Sequence, residues 1–168
     1  MTGPTVEIED EAWTRTLPEA ASLVERAAEA ALVACHPGRG GAESRDRAAR
    51  HDGQALTILL TDDATVKDLN ARFRGKDEAT NVLSFPAAES ARPYLGDVAL
   101  AYGVCAGEAK AQNKTLADHL AHLTVHGVLH LLGYDHEVSS EAEVMEDMER
   151  IILNRLGVRD PYAWDADA

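Results

Sequence analysis

Cysteine is scarce in this 168-residue sequence, and its scarcity excludes two kinds of protein. The two cysteines, Cys35 and Cys105, lie seventy positions apart, so they form neither a disulfide framework nor a cysteine-rich zinc site. Long apolar runs are also missing, because those present, such as Ile58-Leu59-Leu60, fall far short of the ~20 residues that a membrane span needs. The first twenty residues are acidic and hold no apolar stretch, so we expect no secretory signal, no membrane attachment and a cytoplasmic protein.

Basic residues are few as well. The chain has 16 lysines and arginines against 29 acidic residues, and its net charge of −13 disfavours general binding to nucleic acid because phosphates are repelled. The excess of acid is concentrated at the two ends of the chain. One strip is the exception, since residues 67–76 hold two lysines and two arginines against one aspartate, a local charge of +3. A phosphate-bearing substrate is therefore not excluded.

Strand-like and helix-like segments alternate along the sequence, which is typical of an α+β fold. We find no internal repeat, so we expect a single domain over residues 1–168, with a small mixed four-stranded sheet packed against about five helices. A flexible loop is predicted at 37–53, which is rich in glycine and arginine, and a tail at 157–168. Strands are predicted at 5–9, 55–61, 80–86 and 96–102, the last two as a hairpin, and helices at 17–35, from 62 or 63 onward, and at 103–113, 115–132 and 140–156.

Local signals also predict where helices begin and which faces they bury. Thr115 and Ser140 each stand three positions before an acidic residue, a spacing that predicts a capping box at the start of two helices. Apolar residues at helical spacing indicate the buried faces. These residues are Val66, Leu69 and Phe73 in one helix, and Val144, Met148, Ile151, Ile152 and Leu156 in the last.

Histidine is concentrated in one short segment, with five of the seven between His119 and His136. His126 and His130 are four residues apart on a predicted helix, so their side chains lie on one face. Gly133 is suited to end that helix and turn His136 back over the same face. Three imidazoles leave the fourth tetrahedral position of Zn²⁺ open, as catalytic sites do. The pattern predicts one zinc ion, or another divalent transition metal, per chain.

The other polar residues of this segment have less specific patterns. His122 lies four residues before His126 and is predicted to be a buried residue or one that supports the site. Asp135 either orients a ligand imidazole or a bound water, or serves only the turn in which it lies. His119 is expected to be exposed to solvent.

The spacing H-x-x-x-H-x-x-G-x-x-H matches the metal-binding run of metzincin peptidases, so the predicted helix is a zincin-like metal helix. In those enzymes a glutamate next to the first histidine is the general base, and here that position is Gly127. Peptide hydrolysis by that route lacks its proton acceptor. A reaction whose developing charge lies on phosphoryl oxygens can be served by the cation and an arginine without a nearby carboxylate, which draws attention to Asn70, Arg74 and Lys76 at the end of a predicted helix. Arg74 and Lys76 also have a plainer explanation, as solvated charges that interact favourably with the helix dipole.

Three blocks of the sequence together resemble the signature of the YbeY family, bacterial endoribonucleases that act in ribosomal RNA maturation. The first block runs from Leu69 to Pro86 and includes Asn70, Phe73-Arg74-Gly75-Lys76-Asp77 and Thr80-Asn81-Val82-Leu83-Ser84-Phe85-Pro86. The second block is Leu95-Gly96-Asp97-Val98, and the third runs from His126 to His136. They follow one another in the family's order, and the resemblance spans about 55–155 of this chain.

The resemblance implies a catalytic site made of His126, His130 and His136 as zinc ligands and of Arg74. It implies cleavage of single-stranded RNA, processing of small-subunit (16S) rRNA near its 3′ end, and a role in ribosome quality control, with ribosomal small-subunit or assembly proteins as partners. In the resulting hypothesis zinc polarises a phosphoryl oxygen or supplies a hydroxide, and Arg74 stabilises the transition state. The nucleophile is either water or the RNA 2′-OH.

Two other classes of function remain open at this stage. One is a metal-dependent hydrolase of another substrate, and the other is a non-catalytic ribosome-assembly factor whose metal is structural. Under all three, Asp135, His122, Asn70 and Lys76 are candidates to support the site or to contact substrate.

Overall fold

The computed structural model describes residues 3–35 and 54–163, and four strands and six α-helices follow one another there. The strands are β1 (Gly3–Ile8), β2 (Ala55–Thr61), β3 (Val82–Pro86) and β4 (Tyr94–Ala101). The helices are α1 (Ala12–Thr16), α2 (Ala20–Ala34), α3 (Asp63–Arg74), α4 (Tyr102–Ala111), α5 (Leu116–Leu131) and α6 (Ser139–Arg155), and a 3₁₀ turn spans Glu89–Ala91. The loop expected at 37–53 lies outside the described residues, as do residues 164–168 of the expected tail.

The four strands form one mixed sheet in the order β1-β2-β4-β3. β2 pairs parallel to both β1 and β4, whereas β3 pairs antiparallel to β4 as the predicted hairpin. The predicted α+β class with a small mixed sheet is therefore confirmed. Among the described strands β3 stands at one edge of the sheet, so one side of its backbone has no neighbour among them.

Two apolar clusters lie on opposite faces of the sheet. Side chains alternate between the faces along a strand, so Ile58 and Leu60 face the larger cluster while Leu59 packs against the smaller one. The larger cluster joins the sheet to α2, α5 and α6, and the smaller one joins it to α3. α5 is thus buried on most sides, and only part of its surface remains for polar side chains.

Helix beginnings were predicted well where a side chain caps the backbone. Thr115 accepts a hydrogen bond from the backbone N–H of Asp118 over 3.1 Å, and Asp62 caps α3 by accepting from Thr65. The box expected at Ser140 is wrong, because α6 begins at Ser139 after Val138 and no side chain caps it. The helix expected over 17–35 is confirmed as α2, which begins later than predicted, at Ala20, because Pro18 disfavours helical backbone at Leu17. The short α1 that precedes it was not predicted.

Some predicted buried faces are rotated or exposed. Phe73 lies at the end of α3 and is 66% exposed. Of the aromatic rings in the described part of the chain, it contacts that of Phe85, in an edge-to-face arrangement. In α6, Ile152 is buried as expected and Met148 and Leu156 are half-buried, but Val144 and Ile151 are exposed. The face of α6 that is buried consists of Met145, Glu149, Ile152 and Leu153.

None of the described helices combines the length and the apolar character that crossing a bilayer requires.

Candidate metal centre

α5 and the turn that follows it place three histidines together. His126 and His130 lie on the same face of α5, one turn apart, and are half-buried. Gly133 has φ of +101°, a conformation that favours glycine, and its N–H donates to the carbonyl of His130 over 3.0 Å. The chain then turns back, and His136 stands against the other two rings.

The three imidazole rings converge as the spacing predicts. The ring centroids of His126 and His130 are 4.8 Å apart, those of His130 and His136 are 4.9 Å apart, and those of His126 and His136 are 5.4 Å apart. One nitrogen of each ring lies within 4.8 Å of one nitrogen of the other two. Ligand atoms around tetrahedral zinc are about 3.4 Å apart for Zn–N bonds of about 2.0–2.1 Å, so small side-chain shifts close the set around a cation. The donor set fits a divalent transition metal that prefers imidazole.

Burial keeps one of these histidines in the form that binds metal. The pKa of His130 is lowered, first by burial and then by the neighbouring His126 and His136, while Asp135 acts in the opposite direction. A lowered pKa leaves the imidazole neutral at physiological pH, and only the neutral ring has a lone pair for a cation.

A fully buried glutamate on α6 supports the trio, and sequence reasoning missed it. The Oε2 atom of Glu149 lies 2.5 Å from Nδ1 of His126, and Oε1 lies 3.0 Å from Nε2 of His122. Burial by itself would raise the pKa of this carboxyl, but the hydrogen bonds and charges of the two histidines outweigh burial and lower the pKa to about 2. Glu149 is therefore ionised. The only local signal was a glutamate in line with Met145 and Ile152 on one face of α6.

His122, His126 and Glu149 form a hydrogen-bonded group rather than a second cation site. The donor-to-acceptor separations of 2.5 and 3.0 Å are those of hydrogen bonds, and they are shorter than the roughly 3.4 Å between neighbouring ligand atoms of one tetrahedral zinc. His122 is thus placed beside the trio, where its ring bonds Glu149.

His119 does not lie at the solvent surface, so that prediction is wrong. Its side chain is 3% exposed, because α4 covers this part of α5. Its Nε2 bonds Oε1 of Glu108, which belongs to α4, over 2.9 Å. Burial is the main cause of the lowered pKa of His119, and Glu108 opposes it.

Asp135 acts on the turn itself. Its Oδ1 accepts a hydrogen bond from the backbone N–H of His136 over 2.8 Å. This contact fixes the backbone from which the His136 ring projects, so Asp135 helps to place a histidine of the trio through the main chain.

Arg74 lies at the end of α3, beside the edge strand β3. Its Nη2 donates to the carbonyl of Ser84 over 2.7 Å, and its guanidinium carbon lies 5.8 Å from the centre of the Phe85 ring. Asn70 is buried, and its amide donates to the carbonyl of Glu78, so it shapes the loop after α3. The side chain of Lys76 is in that loop and is exposed.

Ser84 connects the arginine to the histidine helix. Its carbonyl accepts from Arg74, and its hydroxyl donates to the carbonyl of Gly127, the residue after His126, over 2.9 Å. Ser84 itself is buried where β3 packs against α5. One residue of the edge strand therefore contacts both the predicted phosphate-binding side chain and the helix of the trio.

Gly127 has a packing reason in addition to its place in the motif. A Cβ atom at this position would lie 2.7 Å from Cγ1 of Val98 and 3.3 Å from Oγ of Ser84, so α5 approaches the sheet too closely for a side chain. The glutamate that metzincin peptidases carry at this position has no room here.

Known proteins resemble this chain over most of its length. Residues 41–157 match the family model described as Endoribonuclease YbeY. A protein of that name from Rhodopseudomonas palustris is 48% identical over 94% of this chain and 80% of its own length, and one from Paramagnetospirillum magneticum is 47% identical over 94% and 93%. The solution structure of TM1509 from Thermotoga maritima has the same fold, with a TM-score of 0.52 over 96% of this chain and 99% of its own, at 20% identity.

Proposed function

Because this chain belongs to the endoribonuclease YbeY family, we propose that it is a zinc-dependent endoribonuclease that cuts single-stranded RNA. In this proposal it matures the 3′ end of small-subunit (16S) rRNA in the cytoplasm, takes part in ribosome quality control, and meets ribosomal small-subunit or assembly proteins there. The observation that carries the proposal is the convergence of three imidazoles on α5 and the turn after it, the helix that Ser84 of β3 connects to Arg74 through two hydrogen bonds.

The residues of the site divide the work of phosphodiester cleavage. His126, His130 and His136 would hold one divalent cation, which supplies Lewis-acid stabilisation of a phosphoryl oxygen when bound. Arg74 presents a planar fork of N–H donors to the negative charge that develops on the other oxygens. Its bond to the Ser84 carbonyl holds the guanidinium beside β3, so the fork does not have to be ordered when substrate arrives.

The charges around Arg74 support an RNA substrate. Lys67 pairs with Asp77 over 3.2 Å and Arg72 pairs with Asp68 over 3.1 Å, so two of the four cations in the strip are neutralised. Arg74 and Lys76 have no carboxylate partner among the residues that the structure describes. These two cations are available to consecutive phosphates on a chain that is otherwise strongly acidic.

An exposed aromatic ring supports a single-stranded substrate. Phe73 is 66% exposed next to Arg74, and its ring meets the ring of Phe85 edge-on at 5.6 Å. Proteins that hold single strands combine cations for the backbone with aromatic rings on which unpaired bases stack. The bases of a duplex are already stacked on one another, so they have no free face for Phe73.

Cleavage of a defined RNA tests the proposal. The substrate is a single-stranded RNA that carries the 3′ end of 16S rRNA with its precursor extension, and the same sequence annealed to its complement is the duplex control. We expect the zinc-loaded chain to cut the single strand, and His130→Ala and Arg74→Ala to leave it intact. Arg72→Ala, which removes a cation that Asp68 already neutralises, is expected to cut normally.

The products and the failures of this assay are both informative. A 2′,3′-cyclic phosphate after rapid quenching identifies the RNA 2′-OH as nucleophile, and a linear phosphate identifies water. Full cleavage by His130→Ala and Arg74→Ala contradicts the site. A zinc-loaded chain that cuts no RNA contradicts the enzyme and leaves an assembly factor with a structural metal.

A further inference from the structure

The segment after α6 turns back toward α5, and Tyr162 in this segment contacts Glu149. The hydroxyl of Tyr162 donates to Oε1 of Glu149 and lies 3.3 Å from Nε2 of His122. The Tyr162 ring also stands edge-on to the His122 ring, with centroids 5.5 Å apart. A residue near the end of the described chain thus bonds the carboxylate that bonds His126.

Other contacts hold Tyr162 in this place. Its backbone N–H donates to Oδ1 of Asp160 over 2.8 Å, and the guanidinium carbon of Arg150 lies 5.2 Å from the centre of its ring. Nε of Arg150 in turn pairs with Oδ2 of Asp160 over 3.3 Å. The segment is therefore attached to α6, the helix that carries Glu149, and the two reach α5 together.

Among the described residues, the hydrogen bonds that Glu149 accepts come from three side chains that are themselves held in place. Its carboxylate is completely buried, and its two oxygens accept from His126, His122 and Tyr162. A buried carboxylate that meets several donors is fixed in orientation, because any rotation leaves a buried polar atom without a partner. The direction of the bond from Glu149 to His126 is set in this way.

We propose that Glu149 and Tyr162 are positioning residues for His126. Glu149 accepts the Nδ1–H of His126, which leaves Nε2 as the nitrogen with a lone pair for the cation that His126 would share with His130 and His136. Tyr162 acts one step further away, by fixing the carboxylate of Glu149. The inference rests on the proposed function only in that the three histidines would hold a cation, and it assigns neither residue a contact with the cation or with RNA.

Tyr162 is notable for its place in the sequence. The family model matches residues 41–157, so Tyr162 lies outside the matched segment. In this chain, residues beyond that segment contribute to the centre.

Zinc affinity in the absence of RNA tests the proposal. The dissociation constant for Zn²⁺ is measured by competition with a chromophoric chelator for the wild type, Glu149→Gln, Tyr162→Phe and the double variant. Loss of a carboxylate that supports a histidine ligand weakens metal binding about 10- to 100-fold, so we expect a loss in that range for Glu149→Gln and at most about tenfold for Tyr162→Phe. Since Tyr162 acts through Glu149, the double variant is expected to bind no more weakly than Glu149→Gln.

A matched variant separates positioning from a general effect on the fold. Glu108→Gln removes the carboxylate partner of His119 on the same helix α5, away from the trio, and its zinc affinity is expected to equal that of the wild type. The visible absorption of the Co²⁺-loaded protein reports ligand geometry, and we expect it to change in Glu149→Gln but not in Glu108→Gln. Tyr162→Phe loses only a hydroxyl, so it keeps the test valid if Glu149→Gln does not fold.

The outcomes separate this inference from the proposed function. A wild-type chain that binds Zn²⁺ and a folded Glu149→Gln that binds it equally well overturn the inference alone. A Tyr162→Phe variant with wild-type affinity overturns the part assigned to Tyr162. A wild-type chain that binds no Zn²⁺ overturns both this inference and the zinc-dependent nuclease.

Discussion

The Ser84 hydroxyl donates to the Gly127 carbonyl over 2.9 Å, at a point where α5 approaches the sheet closely. The missing side chain of Gly127 makes this approach possible, since a Cβ atom there would lie 2.7 Å from Val98, which is itself fully buried on β4. The position of the histidine helix relative to Arg74 therefore depends on a contact between a strand hydroxyl and a helix carbonyl.

Gly127→Ala is expected to destabilise the protein although alanine favours helices. Overpacking a core costs about 1–3 kcal/mol, and the higher helix propensity of alanine returns about 1 kcal/mol, so we expect a net loss of up to about 2 kcal/mol. Gly107→Ala on α4 is the control, because nothing lies within 4 Å of its Cβ position, and it is expected to gain about 0.5–1 kcal/mol. Urea unfolding of both variants measures the difference, and an equal effect at the two sites would refute the packing explanation.

Arg74→Lys is expected to lose cleavage while it keeps zinc. Lysine retains the charge but not the planar fork, and it does not reproduce the bond that holds Arg74 at the Ser84 carbonyl, so we expect a fall in kcat of about 10²- to 10³-fold. Arg72→Lys, on the same turn of α3, pairs with Asp68 and should cut normally. Single-turnover cleavage and zinc content are measured together. Wild-type rates for Arg74→Lys would show that only its charge is needed.

Phe73→Ala is expected to weaken binding of single-stranded RNA without effect on zinc. Stacking of one base on an aromatic ring contributes about 1–3 kcal/mol, which corresponds to a roughly 5- to 150-fold increase in Kd. Ile151→Ala removes a comparably exposed apolar side chain from α6 and is expected to change nothing. Fluorescence anisotropy with a labelled RNA measures the Kd of each variant. Phe73→Trp should preserve binding, and equal losses for Phe73→Ala and Ile151→Ala would exclude stacking.

Acidification is expected to remove a stabilising contribution of His119. Burial lowers its pKa in the folded state below the value of about 6.5 in the unfolded chain, with Lys114 and His122 acting in the same direction and Glu108 against them. Below pH 6.5 the unfolded chain therefore takes up a proton that the folded chain does not, and the free energy of unfolding falls by up to about 1.4 kcal/mol per pH unit. Above pH 6.5 the contribution is present in full.

His119→Gln isolates this contribution. Urea unfolding at pH 7.5 and 5.5, in the presence of a chelator so that cation binding plays no part, compares the variant with the wild type. The advantage of the wild type over the variant is expected to shrink at the lower pH. An advantage that grows at the lower pH would mean that Glu108 raises the pKa of His119 more than burial lowers it.

The parts of the site that follow from local geometry were predictable from the sequence. The i, i+4 spacing of His126 and His130, the cap at Thr115 and the helix end at Gly133 are all set within a few residues, and the three rings meet as expected. Strand and helix order likewise predicted the mixed sheet. No hydrophobic pattern in the sequence predicts α1. This short helix carries Trp13, whose indole N–H donates to the carbonyl of Thr61 on a distant strand.

The parts that depend on distant segments were not predictable. Glu149 takes a core position on α6 because it meets two histidines from α5, and its burial leaves Val144 and Ile151 exposed on other faces of that helix. A hydrophobic pattern assigns a glutamate to the surface, so the prediction placed the wrong stripe inside. Tyr162 offered no signal at all, since its partner is set by the path of the chain after α6.

The hydrogen bond from Arg74 also affects the outer side of β3. The carbonyl of Asn81 accepts from Ala101 on β4, and alternation along an antiparallel strand then points the carbonyl of Ser84 away from the sheet, where Arg74 occupies it. Pro86, two residues on, has no N–H to offer. A strand from another molecule that added to β3 would therefore find the Ser84 carbonyl already bonded and no N–H at Pro86. Arg74, the side chain proposed to bind phosphate, thus also disfavours intermolecular β-pairing and the aggregation that follows from it.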